Sequence, residues 1–406
     1  MTRPFTQFIS IFFGIGICLF GNTTYAQFDT TGGRFFKPVF DSVFVFQDVV
    51  YAQGLNSQNQ IQDLKMDVYQ PFGDTMVKRP VIILAHGGGF IQGNKAEMVN
   101  YCRKFSRMGY ITVAIQYRLG FTSLSTSGLV EMVVRATQDM KNAIRFLRKT
   151  ASVSNPYSIH PDFIFAGGFS AGAITALHLG YMDQLSEIPA GQNISSLDSL
   201  HNNGQIPGFD WKVKAILNIA GAVGDTNWIK PGNVPVISFH GTADATVPFV
   251  SGNFGLPFGP SLSLFGSQSI FNRAQNLGIR SELRAFQGAG HDYSVNFPWA
   301  VDTTEKRIAH FLLPFLLENT TSISNQHSVN ARSFRIGQTG WILGGKWEVG
   351  TLEVFGLTGS KWTNIRIGEG ESIVIPFQNQ TILIRITSPS GKPWVKILPP
   401  VQPSNW

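Results

Sequence analysis

Cysteine is nearly missing from this chain: there are two in 406 residues. Cys18 lies in an apolar leader, with Ile17 where a lipidation signal wants a small residue, and Cys102 is left alone. A lone thiol forms no internal disulfide, so the fold must rest on its core. Charge is also scarce, at 14% of residues against 43% hydrophobic, which excludes a charge-rich disordered chain and allows a sizeable interior. The balance is basic, 32 Lys and Arg against 25 Asp and Glu, but the basic residues are scattered in stretches such as RKFSR and RFLRK. These read as solvated helix faces, and no nucleic-acid motif accompanies them. His-x-x-x-His and Cys-x-x-Cys are both absent, so no metal or other cofactor is expected.

Long apolar runs are missing too. The start, MTRPFTQFISIFFGIGICLFGNTTYAQ, has Arg3 as a positive n-region, an apolar stretch from Phe8 to Phe20, and small residues at Thr24 and Ala26. This is the pattern of a signal peptide over 1–26, cleaved before Gln27, and it predicts export. The stretch is short for a bilayer span, and no transmembrane segment is expected after cleavage.

What is present is an alternation of strand and helix patterns. LKMDVYQ (64–70) alternates like a strand with one wet face. VIILA (81–85), ITVAI (111–115), FIFAG (163–167), AILNIA (215–220) and VPVISF (234–239) are short continuous apolar runs, as in strands of a parallel sheet covered on both faces. Between them, Ala136, Met140, Ala143, Ile144 and Leu147 fall on one helical face, with Arg135, Asp139, Lys141, Asn142 and Arg148 elsewhere. Residues 301–318 read as a last helix capped near Asp302 or Thr303, with Pro314 inside it. The order predicts an α/β fold. Two segments, 181–210 and the Gly-, Pro- and Phe-rich 251–269, read as excursions above the sheet. After a polar linker at 319–330, residues 331–406 carry only short apolar runs separated by Gly and Pro, which predicts a small antiparallel β-sandwich.

The stretch FIFAGGFSAGA joins a strand to a helix through Gly168-Phe-Ser170-Ala-Gly172. Such an elbow exposes its serine at the carboxyl end of a sheet, and close approach of strand and helix leaves no room for side chains at the flanking positions. The bland alternative is a serine N-cap. A serine hydroxyl needs a base. Of the eight histidines, His291 lies in a glycine-flanked loop, FQGAGHDYS, between a strand and the last helix, and is the expected base. His86 and His240 each end a strand, and His178 and His310 lie inside helices. The base needs an orienting carboxylate. Asp244, in ISFHGTADATVPF, follows a core strand, and Asp225 and Asp292 compete with it. The order Ser170, Asp244, His291 is that of this elbow type. In AHGGGF, after the strand VIILA, Gly88 and Gly89 are placed to turn backbone N–H groups toward an oxyanion, together with the N–H of Ala171. Phe90, Phe169 and Phe249 are expected to wall an apolar pocket, and no charged cluster near the motifs points to an anionic substrate.

Taken together, HGGGF, YRLG, GGFSAGA, HGTADATVP and GAGH resemble the α/β-hydrolase superfamily, in particular carboxylesterases and lipases with a His-Gly-Gly-Gly signature. The resemblance covers about residues 40–318 and implies a catalytic domain over 27–318. It also implies hydrolysis of carboxylic esters through an acyl-enzyme, with Ser170, Asp244 and His291 as the triad. One departure is SIHPDFIFAGG, which carries His160 where such enzymes often have an acidic residue before the elbow strand. A serine peptidase of the prolyl-oligopeptidase type shares this triad but usually carries a large extra domain ahead of it. A non-catalytic binding protein on the same fold typically lacks the Ser or the His. The C-terminal LEVFGLTGSKW and TILIRITSPSGKPWVKILPP resemble the sorting domains of type IX secreted proteins of Bacteroidetes. This implies the type IX machinery as a partner through residues 331–406 and a secreted or cell-surface location. A carbohydrate-binding sandwich displaying Trp341, Trp347, Trp362 and Trp394 is the competing reading.

Overall fold

The computed structural model describes residues 28–188, 206–255, 259–293 and 299–317 in full, and the backbone of the strands between 333 and 398. The leader at 1–26, the linker at 319–330 and most of the 181–210 excursion lie outside the described residues.

Eight strands form one sheet in the order β1 (Val43–Leu55), β2 (Ile61–Pro71), β4 (Ile111–Ile115), β3 (Arg79–Ala85), β5 (Ile159–Phe169), β6 (Ile216–Ile219), β8 (Val236–Gly241), β11 (Ser281–Phe286). Strand β2 runs antiparallel to β1 and β4, and all other pairs are parallel. This mostly parallel sheet, flanked by helices, is the expected α/β architecture.

The continuous apolar runs are explained by two cores, one on each face. Val81, Ile83 and Ala85 of β3 join the core that holds α2 (Thr126–Val153) and α3 (Ala171–Tyr181). Ile82 and Leu84 point the other way, into the core that holds α1 (Val99–Arg107) and α5 (Trp299–Leu317). Successive strand residues face opposite sides, so a strand covered twice must be apolar throughout. The 13-residue β1 is an edge strand with a mixed burial pattern and two register shifts, and apolar runs alone do not reveal it.

Two expectations need correction. Helix α5 begins at Trp299, ahead of the expected cap, and Asp302 sits in its first turn, where the carboxylate meets Lys306. RFLRK is solvated only in part: Lys149 is exposed and Arg148 half-buried, but Arg145 is not on the helix exterior. Arg145 is fully buried with its guanidinium over the Trp211 ring, and Lys141, one turn earlier, is fully buried over the same ring. Arg145 also donates to the Phe209 carbonyl. Partners distant in sequence, invisible to a helical pattern, meet these cations.

The Phe-rich excursion is a small antiparallel sheet in the order β7 (Ala222–Val223), β10 (Ser261–Gly266), β9 (Ser251–Gly255), followed by α4 (Ser267–Asn276). In the C-terminal region, β12 (Ser333–Ile336), β13 (Gly340–Gly344) and β16 (Ile373–Pro376) form one antiparallel sheet. A second contains β14 (Gly350–Gly356), β15 (Lys361–Ile367), β17 (Ile382–Thr387) and β18 (Pro393–Leu398). The four tryptophans of the sugar-platform reading have side chains outside the described residues.

Candidate active site

Strand β5 runs into α3 through Ser170, whose backbone has φ 55° and ψ −120°. A serine with positive φ is strained by about 1–3 kcal/mol, and surrounding contacts must hold it there. The contacts are visible: the Ser170 N–H donates to the Ile219 carbonyl at the end of β6, and its carbonyl accepts from Ile174. A Cβ on Gly168 would stand 2.4 Å from the Ala85 carbonyl oxygen, and one on Gly172 would meet the same oxygen. The flanking glycines are therefore required by close approach to the end of β3.

The elbow and two loops bring Ser170, His291 and Asp244 together. His291 Nε2 is 2.8 Å from Ser170 Oγ, and His291 Nδ1 is 2.7 Å from Asp244 Oδ2. A carboxylate only accepts, so Nδ1 carries the proton and Nε2 is the acceptor for the serine hydroxyl. Asp225 instead caps a short helical turn, accepting from the Asn227 N–H. Asp292 adjoins His291 but takes no part in this chain of contacts.

Asp244 also holds its own turn. Its Oδ1 accepts the N–H groups of Thr246 and Val247 at 2.8 and 2.9 Å. Its Oδ2 has a second partner, His240 Nε2, at 3.1 Å. Four donors therefore fill the acceptor positions of one buried carboxylate. Burial pushes the Asp244 carboxyl up, but bonds from His240 and His291, the His291 charge and the Val247 N–H outweigh it and hold the carboxyl well below its ordinary range.

His240 is the residue the sequence reading missed. It is fully buried, with Nε2 facing two acceptors, Asp244 and the Val247 carbonyl, so Nε2 is the donor. Its Nδ1 lies 2.7 Å from Ser267 Oγ, and Ser267 accepts from Asn218 Nδ2 at 2.9 Å. Asn218 Oδ1 in turn accepts the Gly221 N–H. The i,i+4 spacing of His240 and Asp244 in HGTAD was the available signal.

The glycine turn after β3 is clamped from one side. Gly88 and Gly89 have φ of 96° and 60°, and both remain partly open to solvent. Tyr117 OH donates to the carbonyls of His86 and Gly87, and its ring stacks on His86 at 4.3 Å. His86 Nδ1 donates to the Gly87 carbonyl, and Gln116 Nε2 lies 3.2 Å from His86 Nε2. Burial lowers the His86 imidazole's proton affinity, partly offset by the Gly87 bond, which keeps the ring neutral. Next in the chain, Arg118 grips the buried Asp139 carboxylate of α2 through its N–H and guanidinium. The YRLG stretch thus locks the turn to the helix layer. Ala171 opens α3, so its N–H is among those a helix leaves unpaired at its start.

The three expected pocket aromatics separate. The Phe169 ring lies 5.2 Å from the His291 ring. Phe249 packs on His240 instead, at 5.7 Å. Phe90 is fully buried between Tyr117 and Phe254, so it belongs to the core rather than to an open wall. His160, at the departure before the elbow, packs its ring against Phe28 and Phe163.

Among the described residues no group of three or more His, Cys, Asp or Glu is arranged to hold a metal, and no helix is long and apolar enough to cross a membrane.

Comparison with known proteins places esterases beside this chain. Residues 66–224 match the family model BD-FAE. Gut esterase 1 of Caenorhabditis briggsae is 31% identical over 105 residues, which is 25% of this chain and 18% of that protein. The propionate-bound esterase Est2 of the planctomycete Thermogutta terrifontis aligns with TM-score 0.48 at 22% identity, covering 66% of this chain and 94% of that one. The same esterase phosphorylated by paraoxon aligns with TM-score 0.47 at 23% identity, over 68% of this chain and 95% of that one.

Proposed function

We propose that this protein is an exported serine carboxylesterase that cleaves small or medium acyl or aryl esters through an acyl-enzyme. The observation that carries the reading is the continuous hydrogen-bond chain Ser170 Oγ, His291, Asp244 at a strained elbow. Ser170 Oγ attacks the ester carbonyl while its proton passes to His291 Nε2. The buried, ionised Asp244 stabilises the resulting imidazolium. Charge on the carbonyl oxygen is met by the N–H groups of Gly88, Gly89 and Ala171, each worth about 3 kcal/mol of transition-state stabilisation. Collapse expels the alcohol, which takes the proton from His291. Water, deprotonated by the same nitrogen, then releases the acid and restores Ser170. Phe169, beside His291, gives the site an apolar wall suited to an uncharged acyl or aryl group.

The test is hydrolysis of p-nitrophenyl acetate, butyrate and octanoate, with fluorophosphonate labelling, for the wild type and Ser170→Ala. Loss of on the order of 10⁴-fold or more in kcat, with the label on Ser170, is expected. Labelling elsewhere, or cleavage of peptides in place of esters, overturns the reading. Export rests on the leader pattern and on the sorting-domain resemblance of residues 331–406. A chain ending at residue 318 is expected to hydrolyse esters normally but to stay in the periplasm, as cell fractionation would reveal.

A further inference from the structure

A cavity of about 80 Å³ lies away from the proposed catalytic residues. It is bounded by α2 (Val130, Val134), the far half of α3 (His178), Trp228 and strand β10 (Leu262, Leu264). None of Ser170, Asp244 and His291 lines it. His178 follows Ser170 by eight positions on α3, about 12 Å along the axis at ~1.5 Å per residue.

The walls are apolar apart from His178 and the serine of β10, Ser263, whose hydroxyl already donates to Asn253. His178 is only 4% exposed. Its Nδ1 lies 2.8 Å from the Ile174 carbonyl, an acceptor only, so Nδ1 bears the hydrogen. Nε2, on the opposite side of the ring, therefore presents a lone pair, and among the described residues no group hydrogen-bonds to it. Burial drives this imidazole down to about 4, the Ile174 bond offsetting part of the fall and the Lys141 charge adding to it. At neutral pH the ring is an uncharged acceptor in an apolar chamber. A donor that enters the cavity gives this lone pair a partner.

The geometry points to this cavity as a binding site for a small, uncharged, apolar molecule with one hydrogen-bond donor, a short-chain aliphatic alcohol, whose hydroxyl donates to His178 Nε2. A cation would find no carboxylate among the lining residues to replace its hydration, and an anion would face the lone pair. Size selects further, because an engineered apolar cavity of about 150 Å³ holds benzene, and this one is about half as large. Ethanol matches the space, and four-carbon alcohols, as bulky as benzene, do not. The site stands on its own contacts and does not depend on the proposed esterase activity.

The test is an NMR titration of the full chain carrying ¹⁵N-histidine. The probes are ethanol and fluoroethane, which has nearly the same shape and no donor. The His178 signal is assigned by its loss in His178→Gln. A saturable upfield shift of the His178 Nε2 resonance with ethanol is expected, and none with the fluoro compound. Filling the cavity with Val134→Phe should abolish the shift, and Leu262→Phe serves if that variant does not fold. A His178 signal that stays still up to the highest ethanol concentration at which the chain remains folded overturns the site. So does a shift of equal size with the fluoro compound, a shift that survives both filled variants, or a response confined to His291.

Discussion

A methyl group on Gly172 would lie 2.0 Å from the carbonyl oxygen of Ala85. No side chain fits there, because both the oxygen and the glycine belong to backbone held in the sheet and in α3. Gly172→Ala must push α3 away from β3. A loss of about 1–3 kcal/mol is expected, as for other overpacked cores, with activity falling further than stability. Urea denaturation beside ester turnover checks both.

Acid should remove a defined part of the stability. Asp244 is held below its ordinary value of 3.8 in the folded chain. A depressed carboxyl stabilises the fold fully above its unfolded pKa, and that contribution disappears as pH falls through the folded value. The stability gap between wild type and Asp244→Asn should therefore be widest near neutrality and close as the pH drops below about 4. Urea midpoints at several pH values measure it.

His240 acts on the chemistry only through Asp244, as a positioning residue. His240→Leu removes one charge-assisted donor, worth about 1.5–3 kcal/mol, so kcat should fall roughly 10- to 100-fold with KM little changed. His240→Gln, which keeps a side-chain N–H, should recover part of the loss. Steady-state kinetics on p-nitrophenyl acetate, normalised by end-point fluorophosphonate labelling, separates this from a folding defect, which would lower the labelled fraction and leave the rate per labelled site unchanged.

Tyr117 holds the glycine turn by donating to two carbonyls. Tyr117→Phe leaves both buried acceptors without that donor, at about 1–3 kcal/mol. A fall in kcat is expected, with a smaller effect on Tm than Gly172→Ala. Thermal melts run with the kinetics test the ranking.

Much of this was legible beforehand. The apolar runs at 81–85, 111–115 and 163–167 announced doubly covered strands because pattern and burial coincide there. The elbow was legible because its glycines answer a local steric demand. Charge on α2 was misread because sequence shows a residue's own chemistry and not its partner: Asp139 meets Arg118 across a loop, and Arg145 meets the Phe209 carbonyl. His240 looked like a strand terminus for the same reason. Its importance comes from Ser267 and Asp244, which reach it from different elements. Phe90 was placed in the pocket by adjacency in sequence, while its positive φ turns the residue back into the core.

The chain from Gly221 through Asn218, Ser267 and His240 to Asp244 begins at a main-chain amide. That amide neither titrates nor rotates, and it can only give a hydrogen. It therefore fixes which end of the Asn218 amide faces it, which way the Ser267 hydroxyl points, and which nitrogen of His240 is bare. The protonation pattern around Asp244 is thus anchored to the peptide backbone itself.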